Sequence, residues 1–184
     1  MTLRRAQDGA AATVWEGKYI KVTQQGSWEY VSRTRGVSAA VILAIDDGQV
    51  ILVEQHRVPL GRKCLELPAG LVGDEEEGEE VAAAAIRELE EETGYRAERM
   101  VELGRFHASP GMSSEGFTLL RAEGLERIGA GGGVESEDIV VHRVPLAGVA
   151  AFVDQKRSEG AAMDVKLLLL LGAGFLDQKL SRSS

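Results

Sequence analysis

The stretch Glu79–Tyr95, EEVAAAAIRELEEETGY, constrains this chain more than any other. Ala82, Ala85, Ile86 and Leu89 recur at helical spacing and mark a core-facing stripe, which predicts a helix from about Glu79 to Glu92. On that helix Glu88, Glu91 and Glu92 stand at i, i+3 and i+4 and share one face. A rotation of about 100° per residue sets Glu88 and Glu92 at the edge of the apolar stripe. Like charges at this spacing destabilise a bare helix by a few tenths of a kcal/mol per pair, roughly. Acids near a helix C-terminus also oppose its dipole. A divalent cation reverses the sign of both effects, and hard oxygen donors suit Mg²⁺ or Mn²⁺. Against this stands a plain solvated face, since glutamate is a good helix former. The stretch by itself leaves both readings open.

The surrounding pattern alternates strands and helices. Val41–Ala44 and Val50–Val53 are apolar runs flanking IDDG, a hairpin signature. Leu65–Pro68 reads as a short extended piece, and MVELGRFH, GFTLLRAE and IVVHRV read as strands. Gly129–Asp138 reads as a glycine-rich, mobile loop ending in acids. Two closing helices are expected, one after Pro145 and one from about Ala161, with the apolar run Leu167–Leu176 buried. The fold class is therefore α/β or α+β. Residues 1–36 read as a separate small β extension and 37–184 as the main domain.

The chain has 184 residues, of which 44% are hydrophobic and 27% charged, with a net charge of −8. That balance argues against nucleic acid and anionic membranes as partners. An anionic substrate would need local help from arginine or bound metal. The single cysteine, Cys64, excludes an internal disulfide and a cysteine-based zinc site and reads as a small buried side chain. No apolar run follows Arg4 and Arg5, and Leu167–Leu176 is too short to span a bilayer, so the expected compartment is the cytoplasm.

Wider spacing bears on the glutamates. From Gly73, five residues precede Glu79, seven more precede Arg87, and RELEEETGY follows. Gly73, Glu79, Arg87, Glu88, Leu89, Glu91, Glu92 and Gly94 together resemble the signature of the Nudix hydrolases, with Tyr95 where an aliphatic residue is usual. In relatives with LPAG before the motif, that glycine usually begins the count. Here LPAG ends at Gly70, and the following loop looks three residues longer. The resemblance implies an α/β/α sandwich with a mixed sheet, over roughly Gly36 to the C-terminus. It also implies hydrolysis of a diphosphate linked to another group, helped by Mg²⁺ or Mn²⁺, with more than one ion per site. Glu88 and Glu92 would be the main metal ligands, with Glu91, Glu137 and the Ala69 carbonyl as further ones. Glu79 and Arg87 would brace the loop and helix, and Gly94 would end the helix.

Downstream, VESEDIVVH resembles the acidic loop of the ADP-ribose pyrophosphatase branch. It offers Glu135 as the base and Glu137 as a ligand, with Glu91 as a further catalytic acid. Without the resemblance these acids simply solvate a loop. ASPGMSSEG, with Pro110, Gly111 and Glu115, resembles the same branch, although Ser-Pro-Gly is also a common turn. Arg57 in VEQHRVP resembles a phosphate-contacting arginine. Trp28, with Glu29 and Arg33, stands where relatives stack adenine, often from a second subunit. A sheet anchor is the other reading of Trp28. The expected function is hydrolysis of ADP-ribose to AMP and ribose 5-phosphate by a homodimer. The alternatives are another nucleoside diphosphate sugar such as GDP-mannose, a non-catalytic nucleotide sensor of the same fold, and an acidic structural protein without a site.

Overall fold

The structure, a computed structural model, describes residues 9–34, 37–73, 79–134 and 137–172. Three short strands come first: β1 (Ala12–Glu16), β2 (Ile20–Gln25) and β3 (Trp28–Arg33) form their own antiparallel sheet. Every residue of β1 is exposed. The Ile-Asp-Asp-Gly signal then does what its residues favour. Asp47 and Gly48 both take positive φ, 47° and 71°, and join β4 (Ser38–Asp46) to β5 (Gln49–Arg57). A two-residue turn of this hand matches the twist of the strands it connects.

The main sheet adds β6 (Arg62–Glu66), β7 (Ala69–Val72), β8 (Tyr95–His107), β9 (Gly116–Arg127), β10 (Val140–Pro145) and β11 (Ala162–Met163). β4 and β9 run parallel, as do β6 and β11, and the other pairs are antiparallel. Strand alternation sorts the core into two clusters. Ala40, Ile42 and Ile51 pack with Ala85 and Leu89 of α1 (Val81–Thr93) on one face. Val41, Val50 and Leu52 pack with Val149 and Val153 of α2 (Val149–Ser158), Leu167 and Leu171 on the other. Two helical layers thus enclose a mixed sheet, the α/β/α arrangement expected.

Some local expectations need correction. The stripe of α1 runs through Ala84, Ala85 and Leu89, whereas Ala82 is exposed. Its continuation at Ala85+7 is Glu92, so that glutamate lies on the buried stripe rather than beside it. No helix starts at Ala161. Instead Ala162 and Met163 pair with Cys64 and Leu65, a 3₁₀ turn, Val165–Leu167, follows, and the closing helix begins only at 168, running to the last described residue, 172. Gly160, with a φ of 93°, ends the preceding helical segment. The leucine run is not buried all round: Leu167 and Leu171 face the core, while Leu168 and Leu169 are half exposed. Residues after 172 lie outside the described part. Tyr95, at the unusual motif position, is a core residue at the start of β8, 2% exposed.

Candidate active site

A parting of strands creates the site. β4 and β5 pair only at Ile45–Val50 and Asp46–Gln49. Beyond the turn β4 pairs with β7, and β5 pairs with β6. Between them lies a cavity of about 400 Å³. Its walls include Ala39 and Val41 of β4, Gln55 and Arg57 of β5, Glu66 of β6, and Ala69, Gly70 and Leu71 of β7. Backbone divergence, not a single loop, makes the room.

Helix α1 presents Glu88 and Glu92 to this cavity. Glu92 is 5% exposed, and its Oε2 accepts the Ala69 backbone N–H at 3.0 Å. Burial pushes its carboxyl up to about 8, and the nearby charges of Glu88 and Glu137 push in the same direction. The Ala69 N–H and Arg57 only partly offset this. Glu88 lies against Gly70: a Cβ there would sit 1.9 Å from the Glu88 Cδ. A side chain at position 70 would displace the Glu88 carboxylate. Gly73, with a φ of 81°, instead donates its N–H to Glu79 at 3.5 Å. The two glycines thus do different jobs, which accommodates the longer loop; residues 74–78 lie outside the described part.

Arg87 holds the acids of the motif together. Its Nε donates to Glu79 at 3.3 Å, and one terminal nitrogen reaches Glu88 at 3.0 Å and Glu91 at 3.5 Å. Glu91 does not line the cavity. Among the described residues no three His, Cys, Asp or Glu side chains are drawn together as a ligating set. Glu88 is engaged by Arg87, and Glu92 by a backbone amide.

The glycine-rich segment, a loop as expected, is tied to the end of α1 by backbone hydrogen bonds. Gly132 and Gly133 donate their N–H groups to the carbonyls of Glu92 and Glu91, at 2.9 and 3.0 Å. These are orphan carbonyls of the last helical turn, so the loop caps α1. Gly94, with a φ of 72°, ends the helix, and its own carbonyl accepts from Ile128 and Gly129. A side chain at Gly131 would meet Thr93 backbone at 2.4 Å. The docked loop carries Glu137 to the cavity wall, where it accepts the Val134 N–H at 3.2 Å. Glu135 lies outside the described residues.

Cations face the acids. Arg57 makes a two-pronged pair with Glu66, at 2.6 and 2.8 Å. Arg33, at the end of β3, pairs with Glu115 at 2.6 Å. Both pairs line the cavity, as do Phe117 and Lys166. The sequence reading did not single out Gln55, Glu66, Phe117 or Lys166. Glu66 had a signal: a carboxylate immediately before an apolar-Pro stretch, in a strand otherwise buried.

Trp28, Pro110 and Gly111 are brought together elsewhere, in a second cavity of about 450 Å³ with Gln25, Tyr30, Ser113 and Ser114. Strand β3 docks there on the loop before β9: Val31 N–H donates to Met112 O at 2.9 Å, and Ser114 N–H to Val31 O at 3.0 Å. The two cavities are joined along this pair of segments, because Arg33 and Glu115, which follow directly from the walls of the second, line the first. Glu29 is exposed and lines neither cavity.

Known proteins resemble this chain in sequence and in fold. The chain is 43% identical over 88 residues to the ADP-ribose pyrophosphatase of Bacillus subtilis, covering 48% of this chain and 46% of that one. It is 36% identical over 121 residues to the methanol dehydrogenase activator of Bacillus methanolicus, covering 65% and 64%. The matched stretches thus span less than two thirds of these relatives. A crystal structure of an ADP compounds hydrolase superposes with a TM-score of 0.67 at 24% identity, over 92% of this chain and 93% of that one, which establishes likeness of fold. The NUDIX domain family matches residues 34–151, more than half the chain and the whole of the carboxylate helix and its supporting strands. The chain belongs to the NUDIX domain family.

Proposed function

We propose that this protein hydrolyses the diphosphate bridge of ADP-ribose, giving AMP and ribose 5-phosphate, with Mg²⁺ at Glu88 and Glu92. One observation carries the reading. A carboxylate on the buried stripe of α1, Glu92, shares a cavity of about 400 Å³ with Glu88 and Glu137 and with two arginines paired to Glu66 and Glu115. A burial this unfavourable for a charged acid is relieved by a cation. The donor set fits a hard divalent ion, because every candidate ligand is oxygen: Glu88, Glu92, Glu137, the Ala69 carbonyl and, one helical turn on from Glu88, Glu91. A bound ion supplies charge neutralisation at phosphate and a more acidic bound water. Mn²⁺ suits the same donors, and the number of acids suits more than one ion.

The remaining work belongs to the chain. Arg57, its guanidinium oriented by Glu66, is placed to pair with phosphate oxygens. Glu135 takes the proton of the attacking water, and the leaving phosphate departs with its bridging oxygen. Trp28, with Pro110 and Gly111, stacks the base, and Arg33 with Glu115 orders the wall between base and phosphates. Exposed Val14, Trp15, Tyr19, Ile20 and Trp28 on the first sheet support a homodimer in which residues 1–36 are shared between subunits. A cytoplasmic setting suits a chain whose single cysteine is a buried free thiol. Among the described residues, no helix is long and apolar enough to cross a membrane.

A panel of nucleoside diphosphate sugars assayed with Mg²⁺ tests the substrate. ADP-ribose is expected to give the highest kcat/KM, with AMP as the product. Turnover of GDP-mannose as fast as that of ADP-ribose would remove the assignment.

A further inference from the structure

The cavity contains a cation that neither the motif nor the two arginines account for. Lys166 lines it from the 3₁₀ turn Val165–Leu167. Leu167, 1% exposed, anchors that turn in the core on the α2 side of the sheet. Asp164 caps the turn, accepting the Lys166 backbone N–H at 2.7 Å, and its second oxygen accepts from the Lys166 ammonium at 2.7 Å. The ammonium lies 5.6 Å from the centre of the Phe117 ring, and Phe117 is itself a wall of the cavity. Helix α1 packs on the opposite face of the sheet. The glutamates and Lys166 therefore reach one cavity from opposite faces.

The pairing of charges sets Lys166 apart. Glu66 and Glu115, the partners of Arg57 and Arg33, line the cavity beside them. Asp164 does not line it, so the counter-ion of Lys166 stands behind the ammonium. An ammonium carries three N–H donors in a roughly tetrahedral spread. One is held by Asp164, and the same side chain belongs to the cavity wall. A cation fixed from behind, beside an aromatic face and opposite an acid cluster, suits an anion brought in by the ligand.

We propose that Lys166 is a substrate-contact residue whose ammonium binds diphosphate oxygens of the nucleoside diphosphate compound taken at this site. This rests on reading the cavity as a diphosphate pocket. The test compares wild type, Lys166→Met and Lys166→Arg with Mg²⁺ present, by calorimetric binding of ADP and steady-state turnover of ADP-ribose. Lys166→Met keeps most of the side-chain length and the backbone N–H that Asp164 caps, and removes the charge. It is expected to raise the ADP Kd and the ADP-ribose KM roughly ten- to hundredfold, with kcat nearly unchanged. Lys166→Arg restores most of the affinity. Lys166→Gln replaces the Met variant if that one does not fold. ADP binding by the neutral variant as tight as by wild type overturns the proposal, and so does a wild type that binds no ADP. A wild type inactive on ADP-ribose, whose ADP binding still depends on Lys166, retires the substrate assignment and supports the contact.

Discussion

The two cavities are neighbours built on different physics. The first is charged: Glu88, Glu92 and Glu137 face Arg33, Arg57 and Lys166 across strands that diverge. The second is a slot of Trp28, Tyr30, Pro110 and small polar residues, with no acid or base among its walls. Charge concentrated in one and absent from the other divides the labour. The first is equipped to act on phosphate, and the second to hold a flat, uncharged group. Substitutions of the α1 acids in the first should therefore act on kcat, and those in the second, like those of the first cavity's ligand-binding cations, on KM.

Glu92→Gln strikes that division hardest. It removes the buried carboxylate but keeps its shape and the capacity to accept the Ala69 N–H. We expect kcat to fall on the order of a hundredfold or more, since even indirect supports of metal ligands cost about 10–100-fold, while the melting temperature holds or rises. Unchanged turnover would place the chemistry elsewhere.

Gly70→Ala attacks the same cavity by volume alone. The new Cβ would collide with the Glu88 carboxyl carbon. The clash falls on the far end of the Glu88 side chain, which can swing aside, so kcat should fall while stability drops by less than the roughly 1–3 kcal/mol of a rigid overpacked core. An active, equally stable variant would show that Glu88 need not rest on Gly70.

The acid cavity should also leave a mark on stability. Glu92 titrates at about 8 in the fold against an ordinary 4.5, so the folded chain holds its proton more tightly. Its contribution is fully present below pH 4.5 and is lost as pH rises to about 8, by at most roughly 1.4 kcal/mol per pH unit crossed. Metal-free wild type should lose stability across that window relative to Glu92→Gln, measured by urea unfolding. Glu54 has its carboxyl held below the usual range, burial being outweighed by hydrogen bonds from Lys156 and His142. It therefore acts in the opposite sense and is common to both proteins. Parallel pH profiles would contradict the assignment of the burden to Glu92.

Trp28→Ala addresses the second cavity and should be the mildest. Loss of a stacked ring costs about 0.5–1.5 kcal/mol beyond area, so KM for ADP-ribose should rise several-fold with kcat intact. A fall in kcat with KM unchanged would dissolve the distinction between the cavities.

The same contrast explains what the sequence could tell. The carboxylate helix is local: spacing from Gly73 to Gly94 carries its phase, its end and its neighbours. The Asp47–Gly48 turn is equally local, and so is the hairpin it makes. Lys166 and Glu66 were not legible, because they come to the cavity through β11 pairing with β6 and through the separation of β4 from β5. Strand divergence leaves no trace in periodicity. Glu92 is half legible: its place on the buried stripe follows from Ala85 and Leu89, but the exposed Ala82, apolar in sequence, turns the apparent phase of the stripe away from it. The glycines after Ile128 looked like freedom because glycine favours loops. Their amides instead cap α1, a contact between segments some forty residues apart that no local rule announces.

The central claim is that the acids of α1 form a cation site beside a diphosphate pocket. Crystals soaked in Mn²⁺ and measured for anomalous scattering test it directly. The account predicts a strong peak within ligating distance of the Glu88 and Glu92 carboxylates. A clean map there, with manganese bound elsewhere or not at all, would contradict it.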